Sequence, residues 1–241
     1  MFAQEKEVED KKYFKIKIER DELSRNLGGG IPKNSLVLME GTDGAGKSII
    51  AQRLTYSLLQ NKSTVSYVST ELNTASFIEQ MSSMDYDVKY DLLHENILFI
   101  PLFPLFGKNN LSQNNIDKLL ETKKIFDRDV IIMDTLSFLL IDDEISQSES
   151  FKILTILKKI ASMEKSIIIC VDPDHINVKF LTLLRSMCDI LLKLEIRNFA
   201  GSIVRTVNIE RFKRPMSDYI TPIPYKVQPH KGLTIEIASF T

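Results

Sequence analysis

Eight consecutive residues in the first fifth of the chain have the types and spacing of a phosphate-binding loop. Residues 41–48 read GTDGAGKS and match the pattern G-x-x-x-x-G-K-[ST]. The three glycines let the backbone curl and direct several N–H groups at one anion. The Lys47 ammonium can reach the β- and γ-phosphates, and the Ser48 hydroxyl can ligate Mg²⁺. The predicted nucleotide-binding residues are Gly41, Thr42, Asp43, Gly44, Ala45, Gly46, Lys47, Ser48 and Ile49.

The segments on either side of this loop can position it. Residues 36–39 (LVLM) are an apolar run that predicts a buried strand, and residues 49–60 carry apolar positions along one side of a helix. A helix that starts at the loop directs its positive N-terminal end at the bound phosphates. A glycine-rich turn that binds nothing is the alternative, and the strand–loop–helix order favours the nucleotide site.

A phosphate-binding loop also needs a carboxylate that holds the metal ion through its water shell, usually at the end of a strand. Asp134 follows the apolar run 130–133 and precedes Thr135. We therefore expect Asp134 to complete a Mg²⁺ site with Ser48. The alternative is a helix N-cap acid after a buried strand, which is a common arrangement.

Two further acids stand at the ends of predicted strands. Glu71 follows the β-branched run 65–70, and Asp172 follows the apolar run 166–171. Because catalytic groups of open α/β sheets gather at the carboxyl ends of the strands, Glu71 is the candidate for polarising water, with Lys47 as the second catalytic residue. A solvated acid that caps the next helix remains the alternative for Glu71. Asp172 is placed to touch the same pocket as a candidate sensor of the nucleotide.

A pair of cations lies in the last third of the chain. Arg211 and Lys213 are two positions apart in a predicted strand, so both side chains leave the same face. Cations that project together can neutralise a phosphate on a neighbouring subunit as a trans-acting finger. A solvated basic strand end is the alternative.

The order of predicted elements indicates the fold class. Strands alternate with helices up to about residue 187, which is typical of one parallel sheet with helices on both faces. Residues 189–197 and 202–212 then predict a hairpin, and residues 233–238 predict a last short strand. The stretch between them is expected to be irregular because of Pro215, Pro222, Pro224 and Pro229.

We therefore expect an α/β fold with a mainly parallel sheet, flanking helices and a C-terminal antiparallel hairpin. It would form a single domain over residues 1–241, with an extension and strand in residues 1–20 and antiparallel strands in residues 189–241. Residues 102–112 (LFPLFGKNNLS) fit either a loop folded onto the sheet or an exposed surface for a partner.

Composition narrows the class of protein. The net charge of −1 and the pI of about 6.3 give no sign of a nucleic-acid or anionic-membrane partner. Cys170 and Cys188 lack metal-type spacing and fit reduced core residues of a cytosolic protein. The charged start does not resemble a secretory signal, and no apolar run has the length of a transmembrane segment. Any membrane association would then be peripheral.

Four segments together carry a family resemblance: DELSRNLGGGIPKNSLVLMEGTDGAGKS, VSYVSTE, VIIMDTLSFLL and VNIERFKR. With them the chain resembles the RecA/KaiC branch of P-loop proteins over about residues 21–232. Within that branch it is similar to the ATP-binding accessory proteins of the archaellum, the archaeal flagellum. The resemblance implies a RecA-like core that binds ATP at residues 41–48, Mg²⁺ assistance from Asp134 and a water-activating acid at Glu71.

The resemblance also implies partners. Such proteins form a homo-oligomeric ring, expected to be a hexamer, in which Arg211 and Lys213 would reach a neighbour's triphosphate. They act in the cytoplasm beneath the membrane platform, bind the secretion-type motor ATPase and in some lineages sit within a ring scaffold. The expected function is an ATP-binding regulatory subunit of the motor.

Two departures from the family pattern favour slow hydrolysis. KaiC-like ATPases typically carry two adjacent glutamates after the second strand, and here the second position is Leu72. Asp43 stands where Ser or Thr is common, which adds an acid near the triphosphate. An active KaiC-like ATPase or autokinase is the alternative function. A RecA-like DNA recombinase is a weaker one, because the segment 141–150 (IDDEISQSES) is acidic.

Overall fold

The computed structural model of the chain describes residues 11–102, 119–139, 146–199 and 202–236. The strands are β1 (Tyr13–Lys15), β2 (Gly30–Pro32), β3 (Ser35–Gly41), β4 (Val65–Ser69), β5 (Ile97–Pro101), β6 (Val130–Asp134), β7 (Ser166–Val171), β8 (Ile190–Phe199), β9 (Ser202–Phe212), β10 (Ile223–Gln228) and β11 (Gly232–Ile235). The α-helices are α1 (Leu23–Asn26), α2 (Lys47–Gln60), α3 (Thr74–Ser83), α4 (Lys89–Leu93), α5 (Gln147–Ala161) and α6 (Val178–Met187).

Within the described residues, nine strands form one sheet in the order β5-β4-β6-β7-β3-β8-β9-β10-β11. The first six of these run parallel to one another, and β9, β10 and β11 are added antiparallel. The expected fold class, a mainly parallel sheet with C-terminal antiparallel strands, is thereby confirmed. Strand β3 is hydrogen-bonded to β7 on one side and to β8 on the other, so the start of the loop that follows β3 is fixed by both neighbours.

Apolar side chains leave the sheet on both faces. Along β3, Val37 and Met39 join the core beneath α2 and α3, whereas Leu36 and Leu38 join the core beneath α5 and α6. This alternation follows from the two-residue period of a strand. Since β3 is covered on both sides, its continuous apolar run is explained, and the predicted helices on both faces are confirmed.

The N-terminal strand is shorter than the sequence pattern predicts. Phe14, Ile16 and Ile18 are buried and alternate with exposed lysines and a glutamate, as expected. Only Tyr13–Lys15 pairs, however, in a separate two-stranded sheet with β2. The carbonyl of Ile16 instead accepts a hydrogen bond of 2.7 Å from the buried guanidinium of Arg53 in α2, so a side chain replaces the strand partner there.

The expectation of irregular chain between Pro215 and Pro229 was wrong, because β10 lies within it. Pro224 is the second residue of β10, and its carbonyl accepts a hydrogen bond of 2.9 Å from the N–H of Glu236, just beyond β11. The missing proline N–H therefore falls at the end of the ladder with β11, where a strand tolerates it.

Other predicted elements agree with the structure where it describes them. The sequence also predicts two late helices, at residues 148–163 and 178–187, and the structure has them at Gln147–Ala161 and Val178–Met187. Ser146 and Glu149 form a capping box that starts the first of them. The predicted loop at 102–112 lies outside the described residues except for Leu102, which is buried. A helix predicted at 115–126 lies only partly within them, where Lys123–Asp127 is a 3₁₀ helix.

Candidate nucleotide-binding site

The glycine-rich loop joins the carboxyl end of β3 to the first turn of α2, as predicted. Gly46 caps the helix with a φ of 95°, a conformation that L side chains rarely adopt. A Cβ at Gly46 would also collide with the hydroxyl of Tyr225 in β10. That hydroxyl donates a hydrogen bond of 2.8 Å to the carbonyl of Ala45, so β10 supports the loop from the outside.

Lys47 is buried in the loop, 7% exposed, with its ammonium turned along the backbone. Its Nζ donates hydrogen bonds of 2.7 Å to the carbonyl of Gly41 and 3.0 Å to that of Thr42. The same Nζ lies 3.9 Å from Oδ2 of buried Asp172 at the end of β7. The structure thus brings Asp172 to Lys47, where its charge acts directly on the ammonium.

Ser48 and Asp134 meet across the site. The Ser48 hydroxyl donates a hydrogen bond of 3.1 Å to Oδ1 of Asp134, and the hydroxyl of Tyr67 donates one of 2.7 Å to Oδ2. Burial raises the pKa of Asp134 above its ordinary value, and the three hydroxyls around it, from Tyr67, Ser48 and Thr135, limit the rise. Neutral hydroxyl donors therefore fix the carboxylate in position, and a metal ion can bind to it in addition.

This donor set fits Mg²⁺. A hydroxyl and a carboxylate are the hard oxygen ligands that Mg²⁺ prefers, and Mg²⁺ usually keeps several waters and takes phosphate oxygens rather than a complete protein cage. Within the described residues, no cluster of three or more His, Cys, Asp or Glu side chains forms such a cage. Ser48 and Asp134 would hold the ion from one side, and the nucleotide would supply the other ligands.

Glu71 lies at the rim of the same site. Strands β4 and β6 are neighbours, and Ser69 pairs with Asp134, so Glu71 follows β4 on the edge where β6 ends. The pKa of Glu71 is raised because nearby protein displaces part of its water, and because the Asp134 carboxylate repels its charge. Next to it, Leu72 packs against the main hydrophobic core. At the position where the resemblance to KaiC-like ATPases implies a second glutamate, this chain therefore has a side chain that packs against the core.

Thr135 adopts an unusual backbone conformation directly after Asp134. Its φ of 63° is left-handed, which is uncommon for a β-branched residue and costs about 1–3 kcal/mol. The residue is buried, and its hydroxyl lies 3.4 Å from Oδ1 of Asp134. The strained backbone thus places a hydroxyl beside Asp134, and Thr135 also offsets part of the rise in the pKa of Glu71.

Arg205 of β9 reaches the loop from the antiparallel side of the sheet. Its Nε donates a hydrogen bond of 3.0 Å to the carbonyl of Gly44. A cavity of about 340 Å³ lies between the loop, the sheet edge at Glu71 and Thr135, and strand β9. The residues that line it are Asp43, Gly44, Gly46, Lys47, Ser48, Ile49, Glu71, Thr135, Arg205 and Val227.

Known proteins match this chain in sequence and in fold. A family model described as "ATPase: KaiC" matches residues 15–238. The chain is 36% identical over 225 residues to the archaeal flagellar ATP-binding protein FlaH of Methanocaldococcus jannaschii, covering 93% of this chain and 96% of that protein. The chain belongs to the FlaH family of KaiC-like ATPases.

Further comparisons agree with the FlaH assignment. FlaH of Methanococcus voltae is 35% identical over 228 residues, covering 95% of this chain and 99% of that protein. The crystal structure of the flagellar accessory protein FlaH from Methanocaldococcus jannaschii matches with a TM-score of 0.87 at 34% identity, covering 94% of this chain and all of that one. The predicted resemblance is therefore confirmed at the level of the family.

The predicted finger residues of this FlaH-family chain lie far from its own phosphate-binding loop. Arg211 pairs with Leu191, and the backbone N–H of Lys213 bonds to the carbonyl of Asp189, at the end of the sheet where β3 begins. Arg211 donates to the carbonyls of Arg185 and Cys188, and Nζ of Lys213 lies 3.3 Å from Oδ1 of Asp189. Both cations are thus engaged within the chain.

Sequence reasoning missed four FlaH residues at the site. Arg205 and Tyr225 belong to strands whose register with the loop no local pattern shows, and Tyr67 reads as one more apolar residue of β4. Thr135 was noticed only as the neighbour of Asp134. The sheet places Tyr67 on β4, next to the strand of Asp134, whereas Arg205 and Tyr225 lie on β9 and β10, two and three strands from β3, and reach the loop with their side chains.

Proposed function

We propose that the chain binds Mg²⁺ and ATP at this cavity and acts as the ATP-binding regulatory subunit of an archaellum motor. The observation that carries the proposal is that Lys47 and Ser48 line one cavity, with the Asp134 carboxylate 3.1 Å from the Ser48 hydroxyl. FlaH relatives that cover nearly the whole chain are named as archaeal flagellar ATP-binding proteins. The geometry supports the nucleotide, and the names of the relatives support both the nucleotide and the cellular machine.

Hydrolysis of the bound ATP is expected to be slow. Glu71 lies at the rim, where it could orient a water molecule. Leu72 packs against the core and has no polar group that could help to orient that water. Asp43 is exposed, and its Oδ1 accepts a hydrogen bond of 2.8 Å from the N–H of Gly44, so its charge stays close to the phosphates. Turnover should lie well below the roughly 10 s⁻¹ of a typical enzyme.

A slowly hydrolysed nucleotide can act as a switch, because a ligand stabilises the state that it contacts best. In the proposed state, subunits form a hexameric ring in which Arg211 and Lys213 meet the γ-phosphate of the next subunit. Their distance from their own loop leaves only a neighbour's nucleotide for them to reach. They would exchange carbonyls of α6 and its C-cap and the Asp189 carboxylate for phosphate oxygens, which accept charge-assisted hydrogen bonds.

The ring would dock to the secretion-type motor ATPase and to the membrane platform or ring scaffold, on the cytoplasmic side of the membrane. Among the residues that the structure describes, no helix has the length and apolar character needed to cross a bilayer. Residues 141–145, which weighed against a DNA-binding role by their acidity, lie outside the described part of the chain.

An active KaiC-like ATPase or autokinase is the second candidate function. The observation that favours it is Glu71, an acid with a raised pKa that lines the same cavity as Lys47. The two functions differ in turnover: a regulatory subunit retains its ATP, whereas an active enzyme releases ADP or carries a phosphoryl group.

Nucleotide binding tests the site itself. Lys47→Ala removes the side-chain cation at the phosphates and leaves the backbone cradle in place, so affinity for ATP with Mg²⁺ should fall at least about tenfold, or 1.4 kcal/mol. Isothermal titration calorimetry measures this. Lys179→Ala, at an exposed lysine of α6, is the matched control and should bind ATP like the parent chain. Equal affinity in all three proteins would contradict the proposed site.

Assembly tests the regulatory role. Light scattering with ATP, ADP or no nucleotide should show larger oligomers only with ATP, and capture of the purified motor ATPase should follow the same order. Arg211→Ala with Lys213→Ala should abolish the ATP-dependent oligomer and preserve ATP binding. Lys193→Ala with Arg197→Ala, on the neighbouring strand, is the control. The same oligomer and the same capture under all three conditions would show that the nucleotide is only a structural cofactor.

A further inference from the structure

Tyr67 contacts the metal-binding carboxylate from inside the sheet. In β4, Tyr67 stands two residues before Ser69, and Ser69 pairs with Asp134 of β6. Because side chains two apart in a strand share a face, the Tyr67 ring extends beneath the Asp134 side chain. Its hydroxyl donates a hydrogen bond of 2.7 Å to Oδ2, and the residue is 0% exposed.

The ring of Tyr67 is fixed by two other aromatic side chains. Its centroid lies 5.0 Å from that of Phe77 in α3 and 5.9 Å from that of Phe99 in β5. Phe77 and Phe99 stack on each other at 4.2 Å. A ring held in this way cannot move its hydroxyl oxygen away from Asp134 without disturbing the packing of α3 and β5, so the position of the donor oxygen is fixed.

The two oxygens of Asp134 have different surroundings. Oδ2 is taken by Tyr67 inside the protein, whereas Oδ1 faces the hydroxyls of Ser48 at 3.1 Å and Thr135 at 3.4 Å, both of which line the cavity. Fixing Oδ2 prevents the carboxylate from rotating about its Cβ–Cγ bond. Oδ1, which faces the two hydroxyls that line the cavity, is then always in the same place relative to Ser48.

From this geometry we infer that Tyr67 is a positioning residue of the magnesium site, which orients Asp134 so that Oδ1 and Ser48 together receive the ion and its water shell. The inference rests on the proposed binding of ATP with Mg²⁺. Tyr67 contacts neither the phosphate-binding loop nor Lys47 among the hydrogen bonds of the site, so it serves the metal rather than the phosphates. Outer partners of metal ligands typically contribute about 10- to 100-fold in metal affinity.

Tyr67→Phe tests the inference, since it removes only the hydroxyl and keeps the ring packed against Phe77 and Phe99. ATP affinity is measured by calorimetry in EDTA and again at increasing Mg²⁺ concentrations. Binding of Mn²⁺ to the protein–ATP complex is followed by electron paramagnetic resonance. We expect the divalent-ion concentration at half-saturation to rise about tenfold or more, with ATP affinity in EDTA unchanged within about twofold.

Two control variants separate positioning from stability. Tyr86→Phe makes the same change at another buried tyrosine, whose hydroxyl accepts a hydrogen bond of 2.9 Å from the N–H of Leu233, away from Asp134. It should leave the metal dependence unchanged. Asp134→Asn should weaken metal binding by itself, and adding Tyr67→Phe to it should have little further effect, because the hydroxyl acts through that carboxylate.

Three results would overturn the inference. One is an unchanged Mg²⁺ dependence in Tyr67→Phe, and another is an equal loss of ATP affinity with and without the metal, which would indicate a general loosening. The third is full additivity of Tyr67→Phe with Asp134→Asn. These results leave the proposed function standing, whereas failure of the parent chain to bind ATP at all would remove both.

Discussion

Arg205 and Gly44 are 161 positions apart, yet Nε of Arg205 donates a hydrogen bond of 3.0 Å to the carbonyl of Gly44. The contact joins the antiparallel part of the sheet to the tip of the phosphate-binding loop. We expect Arg205→Ala to loosen the loop and to remove a cation from the cavity wall. Affinity for ATP should fall about fivefold, on the order of 1 kcal/mol.

Calorimetric titration of ATP into the variant and the parent chain measures this effect. Arg197→Ala is the matched control, because Arg197 lies on the adjacent strand β8 and pairs at 2.7 Å with exposed Glu195 rather than with the loop. The ATP affinity of Arg205→Lys should lie between those of Arg205→Ala and Arg197→Ala, since lysine keeps the charge and lacks the Nε donor. If Arg205→Ala and Arg197→Ala bound ATP equally well, the contact would have no role in nucleotide binding.

Gly46 and Gly44 allow a comparison of backbone strain with steric collision. Both have positive φ, 95° and 70°, so alanine at either position should cost about 1–2 kcal/mol in the free energy of unfolding. A Cβ at Gly44 meets only Ile196 at 3.9 Å, whereas one at Gly46 collides with the Tyr225 hydroxyl. We therefore expect Gly46→Ala to cost about 1–3 kcal/mol more than Gly44→Ala.

Urea denaturation of the two variants measures the difference. Adding Tyr225→Phe to Gly46→Ala removes the colliding oxygen and should recover part of the loss. Equal stability of Gly44→Ala and Gly46→Ala would show that Tyr225 moves aside without cost, and that β10 does not constrain the loop.

Arg53 and Asp21 form an ion pair whose side chains are both 0% exposed. Nε of Arg53 donates at 3.0 Å to Oδ2 of Asp21, and the pair ties α2 to the N-terminal segment. Arg53→Met would leave the buried Asp21 carboxylate without its counter-ion, and should reduce the free energy of unfolding by about 3–5 kcal/mol.

Replacing both partners, with Arg53→Met and Asp21→Asn, should restore a large part of that loss because no buried charge then remains. Arg20→Met serves as the control, since the Arg20 side chain is 28% exposed and its partner Asp85 is 69% exposed. Denaturation curves at neutral pH distinguish the three. A loss for Arg53→Met no greater than that for Arg20→Met would argue against a structural role of the buried pair.

Glu71 provides a pH test. Its pKa is raised in the folded protein, mainly by partial burial and then by the Asp134 charge, so the folded state holds its proton more tightly than the unfolded state. The ionised carboxylate therefore destabilises the fold at neutral pH. Glu71→Gln should increase the free energy of unfolding at pH 7 and lower any residual ATP hydrolysis.

The gain in stability should shrink as the pH falls through the folded pKa of Glu71. It should disappear below the unfolded value of about 4.3, where both states are protonated. Denaturation of both proteins between pH 4 and pH 8 measures the difference, with Glu79→Gln on α3 as the control. A difference that did not change with pH would show that the effect of Glu71→Gln is not electrostatic.

The sequence by itself determined the chemistry of the phosphate-binding loop and the order of the main elements. Residues 41–48 are contiguous, so their pattern already contains the backbone curl, the lysine and the helix start. Helices α5 and α6 could also be predicted from the sequence, because amphipathic periodicity is a local property. The strand-end acids Asp134 and Glu71 could be found by position, since parallel strands bring their carboxyl ends to one edge.

Only the tertiary structure decided which distant residues complete the site. The register of β9 and β10 against the loop places Arg205 and Tyr225 there, and it carries Arg211 to the opposite end of the sheet. The left-handed backbone of Thr135 and the contact of Tyr67 with Asp134 depend equally on packing around them. Such contacts join residues far apart in the chain, and their energy arises from the packed sheet, so no local pattern contains them.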